Sequence, residues 1–196
     1  TRTGNGSPVG GVRLKSGRLE NCLIAGNVGG SGGGGVYVEG AGEIVNCTIV
    51  TNFCQGTDEP RAGGLCVANS ANAKVTVVNT VIWGNIDRSA NRKGDLLDEA
   101  VKGAAGTLTL DHTLVKDYAS LDPSATECLS GYPKFRKPLR FDFHLRTTSP
   151  CFNAGALWDG IEDATDLDGR PRLKWSKPDL GCYENPAGGG FLLHVR

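Results

Sequence analysis

Apolar and polar side chains alternate along this chain in short bursts of about four residues, and asparagine or glycine closes nearly every burst. Alternation over so few positions is the period of a strand, and the bursts are too short for helices. Four bursts align without gaps: Leu19-Glu-Asn-Cys-Leu-Ile-Ala-Gly-Asn27, Ile44-Val-Asn-Cys-Thr-Ile-Val-Thr-Asn52, Val77-Val-Asn-Thr-Val-Ile-Trp-Gly-Asn85 and Thr109-Leu-Asp-His-Thr-Leu-Val-Lys-Asp117. Each carries Asn or Asp, a five-residue spacer, and Asn or Asp again, giving the pairs Asn21/Asn27, Asn46/Asn52, Asn79/Asn85 and Asp111/Asp117. A shorter apolar burst precedes each one: Gly11-Val-Arg-Leu14, Gly35-Val-Tyr-Val38, Gly64-Leu-Cys-Val67 and Asp95-Leu-Leu97. Self-similarity at a spacing of about 25 to 33 residues is the mark of a solenoid.

One repeat therefore reads as a short strand, a turn, a second strand, a bend at Asn, a third strand and a return loop. Stacked copies pair in parallel about 4.8 Å apart. This predicts an all-β chain in which residues from about Gly10 to Asp117 form a right-handed parallel β-helix of about four coils. Amide side chains both donate and accept, so stacked asparagines can satisfy the bends as ladders. The ladder residues are then the four pairs above, ending where the carboxylates of Asp111 and Asp117 interrupt donation. The columns Leu19/Ile44/Val77/Thr109 and Ile24/Ile49/Ile82/Leu114 are read as interior. Cys22/Cys47/Thr80/His112 shares their parity, with His112 as a core histidine. Outside, Leu23/Thr48/Val81/Thr113 and Ala25/Val50/Trp83/Val115 form an apolar stripe that something must cover.

Composition narrows the functions. The 21 basic and 21 acidic residues cancel, which removes the electrostatic footprint of a nucleic-acid binder. No apolar run is long enough to insert in a membrane. Glycine, at 29 residues, fits many tight turns. The seven cysteines fit an oxidising compartment, and their spacing matches no zinc motif. Thr1 reads as the start of a mature, processed form or of a fragment, without its signal peptide.

Beyond Asp117 the repeat stops. Residues 119–184 read as an irregular capping region of the same domain as 1–118, and 185–196 as a Gly-rich tail with a strand-like end. The blocks Asp142-Phe-His-Leu-Arg146, Thr148-Ser-Pro-Cys-Phe-Asn-Ala-Gly155, Asp166-Leu-Asp-Gly-Arg-Pro-Arg172 and Pro178-Asp-Leu-Gly-Cys-Tyr-Glu184 resemble the C-terminal signature of bacterial surface β-helix proteins. These are the choice-of-anchor Q group of the pectate-lyase-like superfamily. The upstream G-G-V-Y-V and N-C-T-I-V-x-N phrases are similar to that group's coils. The resemblance implies an extracellular or cell-surface protein, normally a far longer β-helix; its activity is largely undefined, so fold is implied more firmly than function. Cys151 and Cys182 lie in matching blocks and are expected to be bridged, stapling this region. Cys54 and Cys66, flanking a return loop, are a second candidate pair.

A lyase of this fold would project acids from the outer face of successive first strands, to hold Ca²⁺ against a uronate. That column reads Arg13, Tyr37, Cys66 and about Leu97, which argues against catalysis. A hydrolase would draw on Asp87, Asp95, Asp98 and Glu99, whose simpler reading is a solvated loop. Asp166 and Asp168 resemble the start of a calcium loop; a turn pairing Asp168 with Arg172 is preferred, and no cofactor is otherwise implied. For a glycan ligand the candidates are Tyr37 and Trp83 as stacking platforms, with Arg61, Arg88 and Arg92 in the loops Phe53–Gly63 and Ile86–Asp95. The favoured reading is a non-catalytic structural or adhesive surface module. Its partner is itself or another surface protein, met through open coil ends and the tail Phe191–Arg196. A carbohydrate-binding or carbohydrate-active module acting on a polysaccharide is the alternative.

Overall fold

The structure is a computed structural model describing residues 9–30, 32–56, 62–68, 70–87, 101–102, 107–116 and 125–186. Its first repeat holds β1 (Val12–Leu14), β2 (Gly17–Glu20), β3 (Leu23–Ala25) and β4 (Val28–Gly29). The second holds β5 (Val36–Val38), β6 (Ala41–Val45), β7 (Thr48–Val50) and β8 (Phe53–Cys54). The third holds β9 (Leu65–Val67), β10 (Lys74–Val78), β11 (Val81–Trp83) and β12 (Ile86–Asp87). The fourth holds β13 (Val101–Lys102), β14 (Thr107–Asp111) and β15 (Leu114–Val115). Equivalent strands pair in parallel, giving stacked sheets ordered β1-β5-β9-β13, β2-β6-β10-β14, β3-β7-β11-β15 and β4-β8-β12. The chain is thus all-β, with two three-residue 3-10 turns, Pro138–Arg140 and Ile161–Asp163, as the helical elements among the described residues. The two-residue fourth strand after the second bend is an element that the sequence pattern does not announce.

Inward side chains of the second and third repeats, among them Val36, Ile44, Ile49, Leu65, Val77 and Ile82, are sealed from solvent. The equivalent Val12, Leu14 and Leu19 of the first repeat are only partly buried. Glycine opens each of the first three repeats because the return segment passes in contact. A Cβ on Gly34 would lie 2.6 Å from the Phe53 carbonyl carbon, and one on Gly63 would lie 2.3 Å from the Ile86 nitrogen.

The fourth repeat departs from the gapless alignment by one residue. Val77 pairs with Leu110, Val78 with Asp111 and Val81 with Leu114. A one-residue slip exchanges the two faces of a strand. This register turns Leu108 and Leu110 inward and leaves Thr109 exposed. Burial of two leucines therefore decides the pairing over the Asn/Asp match. Val115, not Leu114, takes the interior column, and Thr113, not His112, follows Thr80. His112 instead occupies the first bend with φ +42°, continuing Asn21, Asn46 and Asn79 at +56°, +52° and +50°. Asp111 leaves the ladder and holds His112 Nδ1 at 2.7 Å. Asp117 lies outside the described residues.

Nor does the stacking stop there. Thr126 bridges to Asp111 and Leu129 to Leu114, both in parallel, and Glu127 repeats the bend at φ +46°. Residues 126–129 are a partial fifth layer that places Cys128 in the interior core.

The C-terminal segment lies along the outer face of the third sheet. An antiparallel hairpin of β16 (Phe135–Lys137) and β17 (Asp142–Leu145) sets Phe135, Phe143 and Leu145 against Val50, Val81 and Leu114, joined by Cys151 and Leu180. The apolar stripe is covered by the chain itself.

No disulfide joins any of the seven cysteines. The expected Cys151–Cys182 staple fails because Leu180, not Cys182, lies against Cys151: its N–H donates to the Cys151 carbonyl at 2.9 Å. Cys182 faces the repeats, its N–H donating to Thr48 Oγ1 at 3.0 Å. Cys54 and Cys66 belong to different sheets, Cys54 aligned with Asp87 and Cys66 with Tyr37.

Candidate functional site

In the first three repeats the two bends carry the same residue, asparagine, and different work. At the second bend, Asn52 Oδ1 accepts from both the backbone N–H and Nδ2 of Asn27, each at 3.0 Å. Asn85 Oδ1 accepts from Asn52 in the same way. Asn52 and Asn85 also donate inward, to the Ile24 and Ile49 carbonyls. This is a closed ladder. At the first bend, the left-handed backbone that asparagine tolerates goes with side chains that meet the C-terminal segment. Asn79 exchanges two bonds with the Ala156 backbone, at 2.7 and 3.0 Å. Asn21 donates to the Thr165 carbonyl and accepts from Arg172.

Arg172 is the centre of that docking. Fully buried, it donates to the Gly181 carbonyl at 2.8 Å and to Glu184 Oε1 at 3.0 Å. Three buried carboxyls surround the region, and each is held by backbone N–H groups. Asp166 accepts from Asp168, Arg170 and Glu184; Asp179 from Asn153 and Asn185; Glu184 from Asp179. Arg172 is the buried guanidinium among these three carboxyls, and Arg170 reaches Asp166 from the surface at 3.7 Å. Burial, then the proximity of Asp179, pushes the Glu184 carboxyl up to about 8 despite Arg172. Burial also raises Asp179.

At the surface of the same segment His144 bridges two aspartates, Nδ1 to Asp142 at 2.7 Å and Nε2 to Asp168 at 2.8 Å, and stacks on Tyr183 at 4.1 Å. Asp168 is held below the usual carboxylate range, first by His144 and then by Arg170. Burial opposes the same shift at Asp142, where the His144 hydrogen bonds prevail. Asp168 thus pairs with His144 and Arg170, and Arg172 with Glu184, in place of the expected Asp168–Arg172 turn. Both Asp166 oxygens accept backbone N–H groups, and Asp168 Oδ2 is engaged by His144 and Arg170.

The remaining candidates are dispersed. Tyr37 sits half-buried between Arg13 and Cys66, and the fourth member of that column is Lys102, not Leu97. Trp83 belongs to the covered outer face, edge-on to Tyr132 at 6.3 Å, and is not an open platform. Asp87 is buried in β12, in place of the expected solvated loop acid. Asp95, Asp98, Glu99, Arg61, Arg88, Arg92 and the tail lie outside the described residues, as does most of the proposed loop groove. On the outer face of the second sheet an open groove of about 430 Å³ is lined by Arg18, Glu43, Lys74 and Thr76. There Arg18 bonds Glu20 and Glu43 at 2.8 and 2.9 Å.

Reading the sequence passes over Arg172, Glu184 and His144 as functional groups. The first two end the D-x-D-G-x-x-R and D-L-G-x-Y-E phrases, so the signal is present but does not say what the residues touch. No protein-family model, curated protein or solved structure matches the chain.

Proposed function

We propose that the stacked repeats close into a right-handed parallel β-helix, and that this β-helix is a structural or adhesive module of the bacterial cell surface. It associates with further copies of itself through its first repeat. Right-handed closure follows from the strong preference of parallel strand connections for that hand. The cell-surface setting rests on the resemblance of Phe143 to Glu184 to the choice-of-anchor Q signature.

One observation carries the association: the interior is sealed in the second repeat and half-open in the first. Val36, Val38, Ile44 and Cys47 are fully buried, whereas Val12, Leu14, Leu19 and Cys22 are partly exposed. Among the described residues β1, β2, β3 and β4 are all edge strands, a template for pairing. At the same rim Phe141, 61 % exposed, lies against Gly26, and Leu139, in the turn before it, is 99 % exposed. Light scattering over a concentration series tests this. The chain is expected to gain mass with concentration, and Leu19→Lys, which charges the open end, is expected to remain monomeric. A wild-type chain that is monomeric throughout would remove the proposal.

The second reading, carbohydrate binding, is favoured by the polar groove on β2, β6 and β10, whose paired charges and hydroxyl suit a polyhydroxylated ligand. Glycan binding lost in Lys74→Ala would support it; binding unchanged by that substitution would count against this groove.

A further inference from the structure

The interior column next to the first bend repeats one device. Cys22, Cys47, Thr80 and Thr113 each donate a side-chain hydrogen to the carbonyl two residues earlier, at 3.0, 3.2, 2.8 and 2.9 Å. A thiol or a hydroxyl serves this purpose equally well, so the column alone does not ask for cysteine. Two features set the first pair apart. Cys22 and Cys47 are adjacent members, joined by a ladder in which Asn21 N–H meets the Val45 carbonyl at 3.0 Å and Thr48 N–H meets the Cys22 carbonyl at 2.9 Å. In-register parallel neighbours lie about 4.8 Å apart, inside the Cα range that a disulfide spans. In addition, Cys22 alone among the seven cysteines is not buried, because its column opens at the first repeat.

We propose that Cys22 is a thiol–disulfide exchange site and that Cys47 resolves it, closing a bridge between the first and second repeats. The co-reactant is a small-molecule disulfide. The Cys22 thiolate attacks one of its sulfurs, the S–S bond breaks, and one small thiolate leaves, taking up the proton that Cys22 lost. Cys47 then attacks Cys22 Sγ in the mixed disulfide and expels the second small thiolate, which takes the Cys47 proton. The balance is two protein thiols and one small disulfide giving one protein disulfide and two small thiols.

Exposure assigns the order, since Cys22 is part-exposed and Cys47 is buried. The neighbouring Cys47 thiol pushes the Cys22 thiol down, and Cys22 together with burial pushes the Cys47 thiol up. A lowered, accessible thiol beside a resolving partner is the arrangement of a reversible redox site. Burial pushes Cys151 and Cys182 up to about 12, which makes them inert. The chemistry belongs to the unassociated chain, since a second copy on the first repeat would cover Cys22, and it does not depend on that association.

The test treats the folded chain, dilute enough to be monomeric, with oxidised glutathione at neutral pH and maps the products by mass spectrometry. The wild type is expected to lose two hydrogens and yield a Cys22–Cys47 linked peptide. Cys47→Ser, which keeps the hydrogen-bond donor, is expected to stop at a glutathione adduct on Cys22. Cys22→Ser is expected to react at least about 10-fold more slowly than wild type. A wild-type chain that does not react, stops at the adduct, or links other cysteines would overturn the proposal. Leu19→Lys, run in parallel, separates this outcome from any failure of self-association, because it should bridge like the wild type.

Discussion

The two asparagine columns differ in where their hydrogen bonds end. Asn27, Asn52 and Asn85 bond to one another and to interior carbonyls, so their energy stays within the stack. Asn21 and Asn79 hold a left-handed bend and spend their amides on a segment more than seventy residues away in sequence. Identical side chains at sister bends thus do opposite jobs, one building the stack of parallel sheets and the other fastening a separate segment to it. The difference follows from direction. A side chain aimed along the stack finds its copy, and one aimed across the sheet finds the C-terminal segment.

Substitutions can separate the two jobs, and the largest effect is expected at the fastening. Arg172→Met deletes the buried bonds to the Gly181 carbonyl, Glu184 and Asn21 Oδ1, and should cost about 3 to 5 kcal/mol in chemical denaturation. Proteolysis should show the loss beginning in residues 150–186. Next comes Asn52→Ala, which strands the Asn27 N–H, the Asn27 side-chain amide and the Ile24 carbonyl, for about 3 kcal/mol. Its loss should appear as one cooperative transition of lower midpoint, with no early release of the C-terminal segment. Asn79→Gly keeps the left-handed bend and deletes only the two bonds to Ala156. About 1 to 2 kcal/mol, read from the same curves, should be confined to undocking. At the small end, Arg18→Ala removes an exposed pair and should change stability by less than about 1 kcal/mol.

The columns should also part in their response to pH, because amides do not titrate. The Glu184 carboxyl is raised in the folded chain to about 8, from the ordinary 4.5, by burial and by Asp179. A raised acid binds its proton more tightly when folded, so its contribution is complete below about pH 4.5 and is lost as pH rises through 8. Asp179 acts in the same direction. The lowered Asp142 and Asp168 act oppositely, contributing at neutral pH and losing that contribution only as acid protonates them. Between pH 5 and pH 9, then, the docked segment should weaken while the ladder holds. Thermal unfolding should show a falling midpoint in the wild type and a smaller fall in Glu184→Gln over that interval.

Much of this architecture is legible in the sequence, for a physical reason. Interior columns and stacked amides need the same residue at the same phase, and repetition displays such needs openly. The register of the fourth repeat is not legible from Asp111 and Asp117, because two buried leucines outweigh a polar match that carries no burial energy. Residues 126–129 escape notice because Glu127 takes the bend without asparagine. The docking site is hidden differently. Arg172, Asp179 and Glu184 are visible as a phrase, but their partners Asn21 and Asn79 are disguised as ladder members. Cys151 and Cys182 lie in neighbouring phrases of the signature and are not bridged; the residue whose N–H meets the Cys151 carbonyl is Leu180.

Residue-resolved hydrogen exchange on the native chain, at pH 6 and pH 9, tests this division of labour most directly. The expected result is that amides of 24–27, 49–52 and 82–85 exchange together at the slowest rate and through global unfolding at both pH values. Amides of 153–156, 166–172 and 180–185 should open separately, and at pH 9 more readily relative to that slow set. Equal protection of both groups at both pH values, or independent local opening of the ladder, would contradict it.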